Sequence, residues 1–325
     1  MQNCKTQRTG LFSADFDVKI MENLMNIDTK HPETIGLHGG NYRKDAVTNA
    51  VAVPIYQTTS YQFDSAEHAQ KLFGLQELGN IYTRIMNPTT QALEERLASI
   101  EGGVAALAVA SGSSAVALSI QNVASAGDNI VASPHLYGGT YNLFTHTLKE
   151  MGIEVRFADP GEPESFRVLS DDKTRAYFGE TLPNPKLVPF PIEEVASIGR
   201  ELGIPLIVDN TAAPITCRPF DFGATIVVHS LTKYIGGHGT SIGGVIIDSG
   251  TFDWVANPNQ QPHFNKPDSS YHGAVWGELV PEALGAPIAY AVRARVVLLR
   301  DLGSALSPTN AFNICLLYTS PSPRD

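Results

Sequence analysis

The amino-acid sequence predicts an α/β protein in which helices cover both faces of a mostly parallel sheet, giving three layers. Two observations predict this fold class. From Thr89 onward, short apolar runs alternate with longer segments in which apolar residues recur at helical spacing. Apart from 155–157, which contains Arg156, the short runs lack charged residues, as do strands that parallel sheets bury on both faces.

Each predicted element has its own signal. The helix over residues 89–100 places Leu93, Leu97 and Ile100 on one face, and residues 105–110 form a strand of small residues that leads into a helix over 113–123. In the later segments, short strand-like runs again alternate with segments of helical spacing. The further predicted strands are 130–132, 155–157, 176–178, 206–208, 226–228 and 244–247, and the further predicted helices are 141–151, 192–202 and 288–302.

The chain divides into four predicted segments. Residues 1–30 show no periodicity, so we expect them to be a non-core extension. Residues 31–86 are polar and rich in turn signals, which is typical of an arm that lies on a partner subunit. Residues 87–312 form the predicted large domain. Residues 313–325 carry two prolines near their end and continue neither helix nor strand, so they are predicted to be a foreign or unstructured tail.

Composition favours a globular protein that acts on small molecules. Of the 325 residues, 43% are hydrophobic and 17% are charged, which is enough apolar material for a large core. The formal net charge of -10, without a basic run, argues against binding to nucleic acid or to an anionic membrane surface. Cys4, Cys217 and Cys315 are too scattered for a disulfide framework or a metal site, so a reducing, cytoplasmic location is expected. No apolar stretch reaches the roughly 18 residues of a membrane helix.

Polar residues of unusual types follow three of the predicted strands. The carboxyl ends of parallel strands share one edge of a sheet, and ligands bind there, so we expect these residues to converge. A glycine at a helix start exposes main-chain N–H groups to an anion such as phosphate. The residues are Ser111, Gly112 and Ser113 after 105–110; Asp209 and Thr211 after 206–208; and Ser230, Thr232 and Lys233 after 226–228.

Together these residue types match the needs of pyridoxal 5'-phosphate. A lysine forms a Schiff base with the cofactor, N–H and hydroxyl donors bind its phosphate, and a carboxylate keeps its ring nitrogen protonated. Each feature alone has a plainer explanation. Ser111 or Ser113 could cap a helix, as could Asp209. Ser230 and Thr232 could satisfy the loop backbone, and Lys233 could be a solvated surface lysine.

From about residue 34 to residue 310, the sequence also resembles the Cys/Met-metabolism enzymes of the pyridoxal-phosphate aspartate-aminotransferase fold, fold type I. The run SLTKY at 230–234 is similar to the lysine signature of that family, and VDNT at 208–211 to its ring-nitrogen signature. The resemblance implies that Lys233 holds the cofactor and then acts as the base, and that Asp209 faces the ring nitrogen. It places the phosphate on the turn around Gly112.

Further segments carry the same resemblance. Tyr137, in the run LYGGT, resembles the tyrosine that stacks on the cofactor ring and assists proton transfer, although a core tyrosine before a turn is the plainer explanation. Asn184, and less strongly Glu180, resemble residues near the cofactor 3-hydroxyl and the substrate carboxylate. Tyr82 and Arg84 resemble residues that reach the phosphate in the neighbouring subunit. The resemblance therefore implies a homodimer as the minimal unit, and a homotetramer is the expected assembly.

Within the family, segments such as PIYQTTSY at 54–61 and SYHG at 270–273 look most like O-acetylhomoserine sulfhydrylases. This implies γ-replacement of O-acetyl-L-homoserine by sulfide in methionine and cysteine biosynthesis. Cystathionine γ-synthase, cystathionine γ-lyase and methionine γ-lyase are the alternatives, although Gly139 stands where methionine γ-lyases typically have a cysteine. Members of the family continue into a small C-terminal domain with an arginine for the substrate carboxylate. We expect that domain to be missing, which leaves an inactive truncated fragment as an alternative of another class.

Overall fold

The computed structural model describes residues 31–74, 76–77 and 79–319. The predicted extension at 1–30 lies outside the described residues. The strands are β1 (Ala105–Val109), β2 (Asn129–Ala132), β3 (Glu154–Phe157), β4 (Thr174–Glu180), β5 (Leu206–Asp209), β6 (Ile226–Ser230) and β7 (Gly244–Asp248).

The helices before β4 are α1 (Pro32–His38), α2 (Ala66–Phe73), α3 (Pro88–Glu101), α4 (Gly112–Gln121), α5 (Gly138–Asn142) and α6 (Glu164–Val168). The later helices are α7 (Ile192–Leu202), α8 (Pro262–Asn265), α9 (Trp276–Leu284), α10 (Ala289–Arg293) and α11 (Pro308–Thr319). Both α5 and α10 continue through a wider π-helical turn into a last short α-helical turn, at 143–150 and 294–302. No helix among the described residues is long and apolar enough to span a bilayer.

The sheet has seven strands in the order β1-β7-β6-β5-β4-β2-β3. Strand β7 runs antiparallel to both of its neighbours, and the remaining pairs are parallel. Because β7 opposes both β1 and β6, those two strands point the same way. The carboxyl ends of β1, β6, β5 and β4 therefore lie at one edge of the sheet, as the sequence predicts.

The two faces of the sheet are each covered by helices, which confirms the three-layer fold class. Ile207 of β5 packs in the cluster that includes α4 and α10, and its neighbour Val208 packs in the cluster that includes α7. Helix α3 packs with β1, β6 and β7 on the side opposite α4. Each buried aliphatic side chain of this kind stabilises the fold by roughly 1.5–3 kcal/mol through removal from water.

The carboxyl-terminal boundary differs from the prediction. Helix α11 runs past residue 312, so the expectation that residues 313–319 continue no helix is wrong. The reason is packing, since Ala311 and Ile314 are fully buried in the same cluster as Leu97 of α3. Residues 320–325 lie outside the described part, and the foreign origin of residues 313–325 stays a prediction.

The predicted arm, 31–86, contains α1 and α2 and few buried side chains. It lies partly against α3, where the Gly40 N–H donates to Ser99 Oγ at 3.1 Å and the Asn41 N–H donates to Glu95 Oε2 at 2.8 Å. Its contact with a partner subunit stays a prediction.

Candidate functional site

The site begins where β1 leads into α4. Ser111 caps this ten-residue helix, and its Oγ accepts a hydrogen bond from the Ser114 N–H at 3.1 Å. The capping explanation therefore holds for Ser111. The N–H groups of Gly112 and Ser113 have no hydrogen-bond partner in the part of the chain that the structure describes. The start of a helix carries partial positive charge, so these two donors form a place for an anion.

Gly112 packs directly against the end of β6. A Cβ atom built on Gly112 would lie 2.5 Å from the Cβ of Ser230 and 2.9 Å from its Oγ. A Cβ on Gly244, at the start of β7, would lie 2.1 Å from the carbonyl oxygen of Ser111. Only glycines permit these approaches. The start of α4 and the end of β6 therefore meet at one edge of the sheet.

The ends of β5 and β6 are joined by hydrogen bonds. The Thr211 N–H donates to Asp209 Oδ1 at 2.9 Å, and the Ser230 N–H donates to Thr211 Oγ1 at 2.7 Å. The Ser230 hydroxyl itself has no partner among the described residues. Asp209, Thr211 and Ser230 thus form one connected group beside the two free N–H donors of α4.

Two carboxyl groups stand side by side at this edge. Glu180 and Asp209 are register partners in the parallel pair β4–β5, so their side chains lie on the same face. Burial, and then the charge of Asp209, raise the pKa of Glu180 to about 8. Burial also raises the pKa of Asp209, against the hydrogen bonds from Thr211 that lower it. A neighbouring cation would relieve both effects, so the pair suits a positively charged ligand group.

Lys233 lies in the loop that joins β6 to β7, as predicted. Its main chain is fixed by two bonds, since its N–H donates to the Ser230 carbonyl at 3.2 Å and its carbonyl accepts from Gly237 N–H at 2.8 Å. Its side chain is exposed. Thr232 Oγ1 accepts from the Gly243 N–H at 3.2 Å and donates to the Gly243 carbonyl at 3.3 Å. The plainer explanation, that the hydroxyl satisfies the loop backbone, therefore applies to Thr232.

Tyr137 lies beside the carboxyl pair. Its N–H donates to Glu180 Oε1 at 2.7 Å, and its ring lies over Gly139, where a Cβ atom would be 2.5 Å from Cε1. The side chain is 50% exposed, so the explanation as a core tyrosine is wrong. Asn184 is exposed in the loop after β4, and its peptide bond to Pro185 is cis.

Tyr82 and Arg84 do not lie at the sheet edge that carries Asp209, Ser230 and Lys233. The Arg84 guanidinium lies 5.4 Å from the centre of the Tyr82 ring, and its Nη1 donates to the Arg300 carbonyl. Both residues line a separate cavity of about 410 Å³ between the arm and the segment before α11. No contact among the described residues joins them to Asp209 or Lys233.

Sequence reasoning ranked Asn184 above Glu180, yet Glu180 accepts the hydrogen bond from Tyr137 and is the register partner of Asp209. The sequence signal for Glu180 is a charged residue shortly after the apolar residues of a predicted strand. Sequence reasoning missed one group, which lies on the other face, where His229 Nε2 and Glu101 Oε1 are 2.8 Å apart and fully buried.

Comparison with known proteins adds the following. The family model described as Cys/Met metabolism PLP-dependent enzyme matches residues 33–316. The chain is 55% identical over 288 residues to an O-acetyl-L-homoserine sulfhydrylase of Leptospira meyeri, covering 87% of this chain and 64% of the relative. It is 47% identical over 285 residues to a homocysteine/cysteine synthase of Saccharomyces cerevisiae, covering 87% of this chain and 63% of the relative. The chain therefore spans somewhat less than two thirds of these relatives.

Solved structures agree. A Campylobacter jejuni protein assigned as an O-acetylhomoserine (thiol)-lyase, which contains a pyridoxyl-lysine phosphate, matches with a TM-score of 0.84 and 39% identity. That match covers 90% of this chain and 71% of the other. Cystathionine gamma-lyase from Lactobacillus plantarum, in complex with L-serine, matches with a TM-score of 0.68 and 27% identity. That match covers 89% of this chain and 64% of the other.

Proposed function

The chain belongs to the Cys/Met metabolism PLP-dependent enzyme family, and we propose on that premise that its sheet edge holds pyridoxal phosphate. We propose further that the whole protein catalyses a γ-replacement in which O-acetyl-L-homoserine and sulfide give L-homocysteine and acetate. Three relatives named O-acetyl-L-homoserine sulfhydrylases, at 47–55% identity over most of this chain, support the choice of substrate. Methionine and cysteine biosynthesis is the corresponding place in metabolism.

The observation that carries the proposal is the set of groups that converge at the edge. The free N–H groups of Gly112 and Ser113, with the unpaired hydroxyl of Ser230 beside them, suit a phosphate. The carboxyl pair Glu180 and Asp209 suits a protonated ring nitrogen. These residue types match the phosphate and the ring nitrogen of pyridoxal phosphate.

The proposed assignments follow from these groups. Lys233 supplies the primary amine for covalent attachment, and Asp209 opposes the ring nitrogen. Gly112, Ser113 and Ser230 bind the phosphate. Thr232 and Thr211 support the loop and the strand end through the bonds described above. Asn184 is proposed to lie near the 3-hydroxyl.

When bound, the cofactor supplies an electron sink for negative charge that develops on the substrate carbons. Lys233 Nζ is proposed to take the proton from the α-carbon and to move a proton at the β-carbon. Tyr137 holds its ring over the site and assists proton transfer through its hydroxyl. In the net reaction the γ-carbon bond to the acetate oxygen breaks, and a bond from the γ-carbon to sulfur forms.

A second subunit is part of the proposal. Tyr82 and Arg84 lie apart from the edge of their own chain, which is compatible with a role at the phosphate of a partner. An arginine suits this role because its planar fork binds phosphate oxygens in pairs. The proposed minimal unit is a homodimer, and the proposed assembly is a homotetramer.

Product analysis tests the reaction. O-acetyl-L-homoserine would be supplied with sulfide or with cysteine, both to the chain itself and to the chain joined to the remaining third of the Leptospira meyeri relative. The proposal predicts homocysteine with sulfide, little cystathionine with cysteine, and neither product from the Lys233→Ala variant. Cystathionine as the main product, or breakdown of the amino acid to a 2-oxo acid without a nucleophile, would assign one of the sibling activities instead.

A further inference from the structure

Glu180 connects two parts of the proposed site. Its Oε1 accepts the Tyr137 N–H at 2.7 Å, and the Asn184 main-chain N–H also acts on its carboxylate. On the neighbouring strand its register partner is Asp209. The side chain is only 6% exposed. One buried carboxyl group therefore touches the turn that carries the ring of Tyr137 and stands beside the group proposed to face the ring nitrogen.

We propose that Glu180 is a positioning residue that fixes the Tyr137 ring over the site and couples its position to the charge opposite Asp209. The inference rests on the proposed function, because it takes the positive charge at Asp209 to be the protonated ring nitrogen of pyridoxal phosphate.

The main chain of Tyr137 is held by few groups. Its side chain is half exposed, and Glu180 is the one side chain that hydrogen-bonds its main chain among the described residues. The Tyr137 carbonyl accepts from the Tyr141 N–H at 2.9 Å, which fixes only the helix that follows. The entry to the turn is therefore held by Glu180.

The coupling arises because the two carboxyl groups lie on neighbouring strands in register. Two like charges side by side on one buried face oppose each other, so Glu180 and Asp209 are not both ionised at low cost without a cation. A cation opposite Asp209 removes this opposition and favours ionised Glu180. An ionised acceptor holds an N–H group more strongly than a neutral one does, so binding at Asp209 tightens the hold on Tyr137.

Two substitutions at Glu180 separate the effect of its charge from the effect of its hydrogen bond. Glu180→Gln keeps a carbonyl oxygen for the Tyr137 N–H but removes the charge, whereas Glu180→Ala removes both. Asp248→Asn is the matched control, because Asp248 is also a fully buried carboxyl that accepts main-chain N–H groups, from Gly250 at 2.9 Å and from Ala291 at 3.4 Å. It ends β7, at the edge opposite Ser230.

The readouts are the dissociation constant of pyridoxal phosphate, the visible circular dichroism of the bound cofactor, which reports ring tilt, and urea unfolding. Glu180→Ala is expected to weaken binding roughly tenfold or more and to remove most of the dichroism, because a hydrogen bond to a charged group is lost. Glu180→Gln is expected to keep the sign of the dichroism while binding several-fold more weakly. Asp248→Asn is expected to change stability alone.

A double variant tests the route through Tyr137. In a Tyr137→Ala background, Glu180→Ala should change the dichroism little further, because the two substitutions act on one contact. Unchanged affinity and dichroism in Glu180→Gln and Glu180→Ala would overturn the proposal, as would equal changes in Asp248→Asn. If Glu180→Ala does not fold, Glu180→Gln decides alone. If the unaltered chain binds no pyridoxal phosphate, the proposed function fails instead.

Discussion

Gly112 lies against Ser230 with no room for a side-chain carbon. The contact lets the first N–H groups of α4 reach the end of β6, and a methyl group at 112 would push the two apart, since its carbon would lie 2.5 Å from Ser230 Cβ. The main-chain N–H groups are therefore the proposed phosphate ligands, and their position depends on the absence of a side chain at residue 112.

Gly112→Ala is expected to weaken binding of pyridoxal phosphate by roughly tenfold or more, because the N–H donors move away from the phosphate. Equilibrium dialysis measures the affinity. Gly199→Ala is the control, since a Cβ there would lie 2.4 Å from the Ile204 carbonyl oxygen, in the core and away from the site. Both variants should lose stability, but only Gly112→Ala should lose affinity. Equal affinity losses would contradict the assignment.

Asp248 makes a testable contribution to the pH dependence of stability. Burial raises its pKa from the ordinary 3.8 to about 7 in the folded chain. Because ionisation is harder in the folded state, its contribution to stability is complete below about pH 3.8 and is lost as the pH rises through 7.

From pH 5 to pH 8, the unfolding free energy of the unaltered chain should therefore fall relative to that of Asp248→Asn. The expected fall is on the order of 2–4 kcal/mol. Urea unfolding at the two pH values measures it. A difference that does not change with pH would show that the carboxyl titrates normally.

The residues of the site were predictable to different degrees. Lys233, Asp209 and Gly112 could be located because each follows a recognisable strand, and strand ends converge by topology. The bond from Tyr137 to Glu180 could not, because it joins residues 43 positions apart and depends on the order of β2, β4 and β5 in the sheet.

The elements themselves show the same division. Apolar runs revealed six of the seven strands, because buried strands require apolar residues on both faces. The seventh, β3, lies at the edge of the sheet and contains Arg156. The antiparallel β7, inserted between β1 and β6, was not predictable, because an apolar run carries no information on direction or neighbours. The end of α11 was misjudged because its apolar positions pack on α3, which a local pattern does not contain.

Helix α11 is expected to be part of the folded domain. Ile314→Ala should lower the unfolding free energy by about 2–4 kcal/mol, because Ile314 is fully buried in the cluster that contains Leu97 of α3 and its truncation leaves a cavity. Leu302→Ala is the control, since that side chain is 56% exposed and should change stability by about 0.5 kcal/mol or less. Urea unfolding measures both. A neutral Ile314→Ala would show that the helix does not contribute to the domain.

At the scale of the whole molecule, the proposed site requires two chains. Tyr82 and Arg84 belong to the arm; the Arg84 guanidinium contacts the Tyr82 ring and the Arg300 carbonyl, and within the described residues neither side chain is bonded to the edge of its own sheet. A shared site makes a specific prediction about mixed dimers that no single-chain role for Arg84 makes.

Dimers with Lys233→Ala in one subunit and Arg84→Ala in the other contain one edge with both residues intact. They are expected to hold about half as much pyridoxal phosphate as the unaltered dimer, because each edge depends on one lysine and on the partner's arginine. Separately tagged subunits, mixed and purified through both tags, permit the measurement. Arg84→Ala homodimers that retain full affinity would remove Arg84 from the site.

The most direct test of the central claim is reductive trapping. The chain would be incubated with pyridoxal phosphate, reduced with borohydride, digested, and mapped by mass spectrometry. Lys233→Ala would be treated alongside, with Lys186→Ala as the control, because Lys186 is also an exposed lysine, in the loop after β4. We expect a pyridoxyl adduct on the peptide that carries Lys233, an unchanged adduct in Lys186→Ala, and none in Lys233→Ala. An adduct on another lysine, or a folded chain without any adduct, would contradict the claim that this edge of the sheet is a pyridoxal-phosphate site.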